Sequence, residues 1–201
     1  ISNIAAKEAG ANTWLYPPAY ACEPPGIAGC VAPLAELNMK VYSTGLGGGW
    51  GLWAHGTPGV RWQGLWFLYW PTVNGRLYVY PYVDIQGTVY IYAHDHWYTS
   101  TQARLTLTLW CNIYQFYWDN WTSIKVVDEY HTDSGASYWV DDYFVPGNST
   151  TVVRGNPVWI YIEADLWAYG RSDHALAEGD FFSGAEKFIR IPQIWVQLVP
   201  F

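Results

Sequence analysis

The sequence predicts an all-β, single-domain sandwich of jelly-roll type with an irregular, proline-rich N-terminal segment. Several stretches of about 8 to 15 residues alternate with a period of two, which is typical of strands. Gly, Pro and Asn turns separate these stretches. No long segment shows the 3.6-residue period of an amphipathic helix. A chain of 201 residues is also a common size for a single all-β domain.

The N-terminal segment, residues 1–33, is predicted to be an irregular arm, and residues 34–201 to be the sandwich domain. The arm is rich in prolines, which remove backbone donors and disfavour regular structure. These are Pro17, Pro18, Pro24, Pro25 and Pro33. An extended arm of this kind is expected to add a strand to the sheet edge of a neighbouring copy.

The first predicted strand covers residues 37–42, and a glycine-rich turn with Trp50 and Trp53 follows it. This turn is not a phosphate loop, because it lacks the Lys-Ser/Thr ending and leads into no helix. A second strand is predicted at 60–70. The Asn74-Gly75 pair is a strong hairpin signal, so we expect it to join this strand to the next one in a hairpin.

The stretch from Arg76 to Trp118 has an unusual alternation. Between residues 77 and 93 the odd positions are mainly aliphatic, and five even positions are tyrosines: Tyr78, Tyr80, Tyr82, Tyr90 and Tyr92. A half-buried strand normally alternates apolar with polar residues. The aliphatic side predicts a core face, whereas the tyrosine side needs a separate explanation.

Two later strands place aromatic residues opposite aliphatic ones in the same way. The strand at 103–117 carries Trp110 and Tyr114, and the strand at 157–169 carries Trp159, Tyr161, Trp167 and Tyr169. Shorter strands are predicted at 123–130 and 138–145, and a closing strand at 181–201. The strand order does not follow from these patterns.

The composition excludes some classes of partner. The formal charge is −7 and charged residues are 13% of the chain, so no basic patch for nucleic acid is visible. No apolar run reaches the roughly 18 residues of a membrane helix, and we expect no membrane insertion. The 14 Trp, 17 Tyr and 7 Phe residues instead favour an interface composition.

Several features favour a secreted protein. The chain begins at Ile1, as expected after removal of a leader, and lysine is rare. Cys22 and Cys30 bracket a turn-rich loop and are predicted to form a disulfide, whereas Cys111 is expected to be a buried hydrophobe. Asn120 and Asn148 begin glycosylation sequons.

Three groups of residues have the chemistry of ligand sites. His94 and His96 share a strand face and can chelate a metal, but exposed histidines at a polar hairpin end are the preferred explanation. Calcium prefers oxygen-rich loops, but solvated acids are the simpler explanation of the acidic residues at one end of the predicted sandwich. These acids are Asp128, Glu129, Asp133, Asp141 and Asp142.

The third group is a carboxylate pair, Glu163 and Asp165, on the aromatic side of its strand. Such a pair suits glycoside hydrolysis, but its members can equally hydrogen-bond neighbouring tyrosines. No serine elbow, Cys-His pair or Walker loop is present. We therefore expect no catalysis, no metal and no cofactor.

The function depends on what covers the aromatic sides. They can be internal to the monomer, form platforms for sugars, or mediate self-association. The first expectation is a non-enzymatic structural subunit of an extracellular filament or surface layer, whose partners are copies of itself. The second is a secreted carbohydrate-binding module that uses Trp and Tyr platforms. The third is a glycan-active enzyme with Glu163 and Asp165.

Overall fold

The computed structural model describes residues 12–45, 59–95, 100–116, 118–172 and 174–201. Two antiparallel sheets pack against each other around one hydrophobic cluster, which confirms the predicted all-β sandwich. The N-terminal residues 1–11, the glycine-rich segment 46–58 and residues 96–99 lie outside the described residues.

The larger sheet, sheet A, contains nine strands. Numbered in chain order, they are β1 (Asn12–Leu15), β3 (Cys30–Val31), β4 (Glu36–Leu37), β5 (Met39–Thr44), β7 (Gly75–Ala93), β10 (Ser134–Phe144), β11 (Asn148–Val152), β13 (Ala175–Phe181) and β14 (Phe188–Pro200). Their order is β3-β4-β14-β7-β13-β5, with β1 on β14 and both β10 and β11 on β7. A 3-10 turn at Ala32–Leu34 joins β3 to β4.

The smaller sheet, sheet B, contains five strands in the order β2-β6-β12-β8-β9. They are β2 (Ala21–Glu23), β6 (Gly59–Tyr69), β8 (Gln102–Gln115), β9 (Trp118–His131) and β12 (Val158–Arg171). The long neighbours β12 and β8 pair from Trp159 with Tyr114 to Arg171 with Gln102.

Strand β7 is the centre of sheet A and spans 19 residues. It is longer than its partners, so two strands share each of its sides. On one side β14 pairs with its first part and β13 with its second part. On the other side β11 and β10 divide it in the same way.

The core lies between the sheets and consists of the aliphatic sides predicted from the alternation. Burial of each such side chain contributes about 1.5–3 kcal/mol. Residues that are at most 1% exposed include Leu77, Val79, Val83, Ile85, Val89 and Ile91 on β7, Leu105, Leu107, Leu109 and Ile113 on β8, and Val158, Ile160, Ile162 and Leu166 on β12.

The Asn74-Gly75 turn is not a hairpin, because it joins β6 in sheet B to β7 in sheet A. Both sides of β7 are already occupied at Gly75, where Pro200 and Val152 are its partners. The side chain of Asn74 instead accepts a hydrogen bond from the backbone N–H of Arg154, at 2.8 Å. The turn therefore connects the two sheets at one end of the sandwich.

The N-terminal segment contributes short strands to both sheets. β1 pairs with β14 of the same chain, and β2 pairs with β6. Because Asn12–Leu15 already pairs within its own chain, the predicted addition of the arm to a neighbouring copy does not apply to this strand. It remains a prediction for residues 1–11, which lie outside the described part of the chain.

Candidate functional site

Each sheet turns one face outward, and strand register gathers the predicted aromatic residues on these two surfaces, because directly paired residues share a face. We call the outward face of sheet A the tyrosine face; its rings are Trp14, Tyr42, Tyr78, Tyr80, Tyr82, Tyr90, Tyr92, Trp139, Tyr143 and Trp195. We call the outward face of sheet B the tryptophan face; its rings are Trp62, Trp66, Trp110, Tyr114, Trp121, Trp159, Tyr161, Trp167 and Tyr169. The predicted platform residues thus lie on two separate surfaces.

The tyrosine face exposes a row of rings on three strands, which Glu178 of β13 interrupts between Tyr42 and Tyr90. Tyr42 on β5 is 53% exposed, Tyr90 and Tyr92 on β7 are 46% and 41% exposed, and Trp139 on β10 is 44% exposed. In the first half of β7 the rings pack against one another. The centroid of the Trp14 ring lies 5.6 Å from the ring centroid of Tyr82 and 4.9 Å from the ring centroid of Trp195. The face is therefore most open around the second half of β7.

Four charged groups on the open part of the tyrosine face form ion pairs within the chain. Lys40 forms an ion pair with Glu178 at 2.8 Å, and Lys187 forms one with Asp180 at 2.9 Å. Burial opposes ionisation of Asp180, but hydrogen bonds from Lys187 and from the backbone amides of Ser183 and Phe182 outweigh it and hold its pKa well below its ordinary value. Asp180 is therefore an ionised, satisfied carboxylate.

The tryptophan face is built around Tyr161, which is only 4% exposed although it points outward. The ring of Trp66 lies 4.5 Å from it, and the ring of Trp121 meets it edge-on at 5.8 Å. Its hydroxyl donates a hydrogen bond to Oε2 of Glu163 at 2.8 Å. This arrangement requires glycine at position 64, because a Cβ at Gly64 would overlap the ring of Tyr161.

The carboxylates of the tryptophan face are hard to ionise. Burial raises the pKa of Glu163, the neighbouring Asp165 raises it further, and the hydrogen bond from Tyr161 partly opposes this. Burial also raises the pKa of Asp165, whose Oδ1 is buried and has no hydrogen-bond partner among the described residues. These two groups can accept hydrogen bonds from ligand hydroxyls, or hold a proton at a higher pH than ordinary carboxyls do.

A cavity of about 390 Å³ lies at one edge of the tryptophan face, beside β2. We call it the edge pocket; the residues that line it include Tyr20, Cys22, Glu23, Trp66, Tyr114 and Trp159. The Trp66 and Trp159 rings are perpendicular, with centroids 6.3 Å apart. Nε1 of Trp66 donates a hydrogen bond to Oε2 of Glu23 at 3.1 Å.

The predicted disulfide is formed between Cys22 and Cys30, with their Cα atoms 6.0 Å apart. Cys22 lies in sheet B and Cys30 in sheet A, so the bond links the two sheets beside the edge pocket. Cys111 is a buried free thiol, and burial raises its pKa, as expected for a small hydrophobe in the core.

The two sequon asparagines hydrogen-bond each other between β9 and β11. Nδ2 of Asn120 donates to Oδ1 of Asn148 at 2.8 Å. Nδ2 of Asn148 donates to the backbone oxygen of Cys111 at 2.8 Å and to that of Asn120. Asn148 is 6% exposed, so a glycan on its Nδ2 would have to displace both hydrogen bonds.

The acidic residues predicted near one end have separate partners. Asp133 lies 3.1 Å from His94, Asp128 lies 2.6 Å from Lys125, and Glu129 lies 3.0 Å from His131. Asp141 accepts a hydrogen bond from Gln86, and Asp142 from the backbone N–H of Tyr143. Among the residues that the structure describes, no group of three or more His, Cys, Asp or Glu could hold a metal ion. His96 lies outside them.

Sequence reasoning missed the edge pocket. Trp66 belongs to the strand predicted at 60–70, but Glu23 and Tyr20 lie in a proline-rich segment without periodicity. Their contact with Trp66 depends on the pairing of β2 with β6, which aligns Ala21 with Trp66. No local pattern encodes the pairing of strands so far apart in the chain.

No helix among the described residues is long and apolar enough to cross a membrane, and the intramolecular disulfide is compatible with a secreted protein. The chain matches no protein-family model, and no curated protein is detectably similar to it in sequence.

Proposed function

We propose that this chain is a non-catalytic structural subunit of an extracellular filament or surface layer, and that it self-associates through the tyrosine face. The row of exposed rings formed by Tyr42, Tyr90, Tyr92 and Trp139 carries this proposal. Exposed apolar patches of several hundred Å² usually mark interaction surfaces. Tyrosine and tryptophan are enriched in interfaces, where lysine and glutamate are depleted.

The charge pairing on this face supports the proposal. Burying an unpaired charge in an interface costs several kcal/mol, about as much as good contacts supply. Lys40, Glu178, Lys187 and Asp180 satisfy one another within the chain. A second copy can therefore cover the rings beside these four groups without supplying a counter-charge to them.

The extracellular setting rests on the disulfide. The bond between Cys22 and Cys30 persists in oxidising compartments, whereas cytosolic thiols are usually kept reduced. The low content of charged residues, 13%, also suits a subunit whose surface is largely covered by its neighbours.

Negative-stain electron microscopy and light scattering on dilution test the proposal. The native protein is expected to give filaments or large particles that persist at low concentration, and Tyr90→Lys is expected to reduce them at least tenfold. Tyr130→Lys is the matched control, because Tyr130 is 57% exposed but belongs to β9 of sheet B. A monomer at every concentration, or equal loss in both variants, would contradict assembly through the tyrosine face.

A carbohydrate-binding function is the second candidate, and the tryptophan face favours it. Glu163 and Asp165 lie side by side among indole rings, and Trp110 is the direct neighbour of Glu163 on β8. The Oδ1 of Asp165, which has no partner within the part of the chain that the structure describes, is an acceptor that a sugar hydroxyl would satisfy. A glycan array tests this, with Trp110→Ala expected to lose binding and Trp195→Ala, on the opposite sheet, expected to keep it. Release of reducing ends from a bound glycan would instead favour an enzyme.

A further inference from the structure

We infer that the edge pocket binds an alkylammonium group, such as the head group of a choline-like molecule. The inference goes beyond self-association, because the pocket lies on sheet B and the tyrosine face on sheet A. It rests on the aromatic walls of the pocket, its single carboxylate and its rigid rim.

The walls provide ring faces for a cation. The indoles of Trp66 and Trp159 stand at 90° to each other, and Tyr20 meets Trp159 edge-on with centroids 4.8 Å apart. A cation within about 6 Å of such faces is attracted by the ring quadrupole, and tryptophan gives the strongest attraction. Rings in perpendicular planes contact a rounded ammonium head from two sides, whereas they cannot both stack on one flat sugar face.

The charge of the pocket selects a cation over a neutral apolar ligand. Of the described residues that line it, Glu23 alone is charged. Trp66 occupies Oε2 of this carboxylate, and within the described residues Oε1 accepts no hydrogen bond. A neutral apolar ligand would bury Oε1 of this carboxylate without a partner, which is unfavourable, whereas an ammonium group would pair with it.

The polar groups of the pocket are too few for a sugar. A pyranose presents several hydroxyls, each of which needs a partner when it is buried. The lining offers one carboxylate and two phenol groups among indole rings, a disulfide and a proline. An alkylammonium group needs one anion and apolar walls, which matches this set.

The described lining residues supply no cation to the pocket. Elsewhere arginines lie over rings, as Arg76 does over Tyr78 at 5.8 Å and Arg104 over Trp167 at 5.9 Å. No arginine or lysine is among the described lining residues. The pocket is thus an anionic aromatic cavity that is open to a ligand.

The rim is held in place before any ligand arrives. The Cys22–Cys30 disulfide ties β2 to sheet A, and the backbone N–H of Tyr20 donates to the oxygen of Trp66 at 2.7 Å. Gln63 donates from its amide to the oxygen of Ala28 at 2.8 Å, which fixes the loop after β2. Preorganisation of this kind lowers the entropic cost of binding.

Calorimetric titration with choline chloride at constant ionic strength tests the inference, with 3,3-dimethylbutan-1-ol as the uncharged ligand of the same shape. Choline is expected to bind saturably and the alcohol at least tenfold more weakly. Trp159→Ala and Glu23→Gln are each expected to weaken choline binding at least tenfold. Trp139→Ala, which removes an exposed indole from sheet A, is expected to leave it unchanged.

Equal affinity for choline and the alcohol would overturn the inference, as would choline binding that survives both Trp159→Ala and Glu23→Gln. Binding of a neutral oligosaccharide at the pocket in the absence of choline binding would also overturn it. Titration with N-acetyl-trimethyllysine amide distinguishes a free ammonium compound from one carried by a protein. Repeating the titration in Tyr90→Lys separates the pocket from assembly, because that substitution lies on the other sheet.

Discussion

The hydroxyl of Tyr161 donates a hydrogen bond to Oε2 of Glu163, and both residues lie on the outward face of β12. Tyr161 is nevertheless 4% exposed, because Trp66 and Trp121 pack against its ring. The aromatic rings thus bury a side chain at an outward-facing position of the strand. The carboxylate of Glu163 is also desolvated by burial, which makes its ionisation unfavourable.

Glu163→Gln is expected to change how stability depends on pH. The pKa of Glu163 is raised by burial in the folded protein, so the native state binds more protons than the unfolded state above the unfolded pKa. Its contribution is therefore fully present at low pH and is lost as pH rises through the folded pKa. The free energy of unfolding of Glu163→Gln, relative to wild type, should increase as pH rises across this window, as measured by urea denaturation at several pH values.

Asp180→Asn is expected to change the pH dependence of stability in the opposite direction. Hydrogen bonds from Lys187 and two backbone amides outweigh the effect of burial and lower the pKa of Asp180, so its ionised form stabilises the fold above the unfolded pKa. This contribution is lost as pH falls towards the folded pKa. The substitution should therefore be most destabilising near neutral pH and least so in acid. Parallel pH profiles for the two variants would contradict both assignments.

Gly64→Ala is expected to lower the free energy of unfolding by about 1–3 kcal/mol, because the new methyl group overlaps the ring of Tyr161. A double-mutant cycle identifies the cause. In a Tyr161→Ala background the ring is absent, so the same glycine substitution should cost markedly less. Urea denaturation of the four proteins measures the coupling. Additive effects would show that another contact of Gly64 is responsible.

The sequence predicts the inward faces well because their signal is local. A period of two along one strand decides which side chains point to the core, and Leu77, Val79 and Ile85 are buried as their spacing requires. Strand β13 was not predicted, since Ala175–Phe181 has small and acidic residues and little aliphatic alternation. It is a strand because β5 and β7 pair with it on both sides.

Contacts between strands could not be predicted, because register is a non-local property. The hydrogen bond from Trp66 to Glu23 joins residues 43 positions apart. Asn74-Gly75 gives a hairpin signal, yet β14 and β11 occupy both sides of Gly75 and force the chain into the other sheet. The local preference of Asn-Gly for a hairpin turn is overridden there, because other strands already pair with both edges of β7.

Asn148→Ala is expected to lower the free energy of unfolding by about 1–3 kcal/mol, because it removes buried hydrogen bonds. These are the bonds that its amide donates to the backbone oxygens of Cys111 and Asn120. Thr150→Ala is the control: it removes the sequon but keeps the amide, so its effect should be much smaller. Intact mass spectrometry of the native protein reports whether either sequon carries a glycan. Equal destabilisation in the two variants would assign the effect to the sequon position rather than to the amide network.

Reduction of the Cys22–Cys30 disulfide is expected to lower the free energy of unfolding by about 2–4 kcal/mol, since the bond restricts the unfolded chain. Thiol titration follows the same event. The folded, oxidised protein should release no reactive thiol, because Cys111 is buried and burial raises its pKa. After mild reduction, the thiols of Cys22 and Cys30 should react, and that of Cys111 should react only after denaturation. Rapid reaction of Cys111 in the native protein would show that the core between β8 and its neighbours opens far more readily than its packing implies.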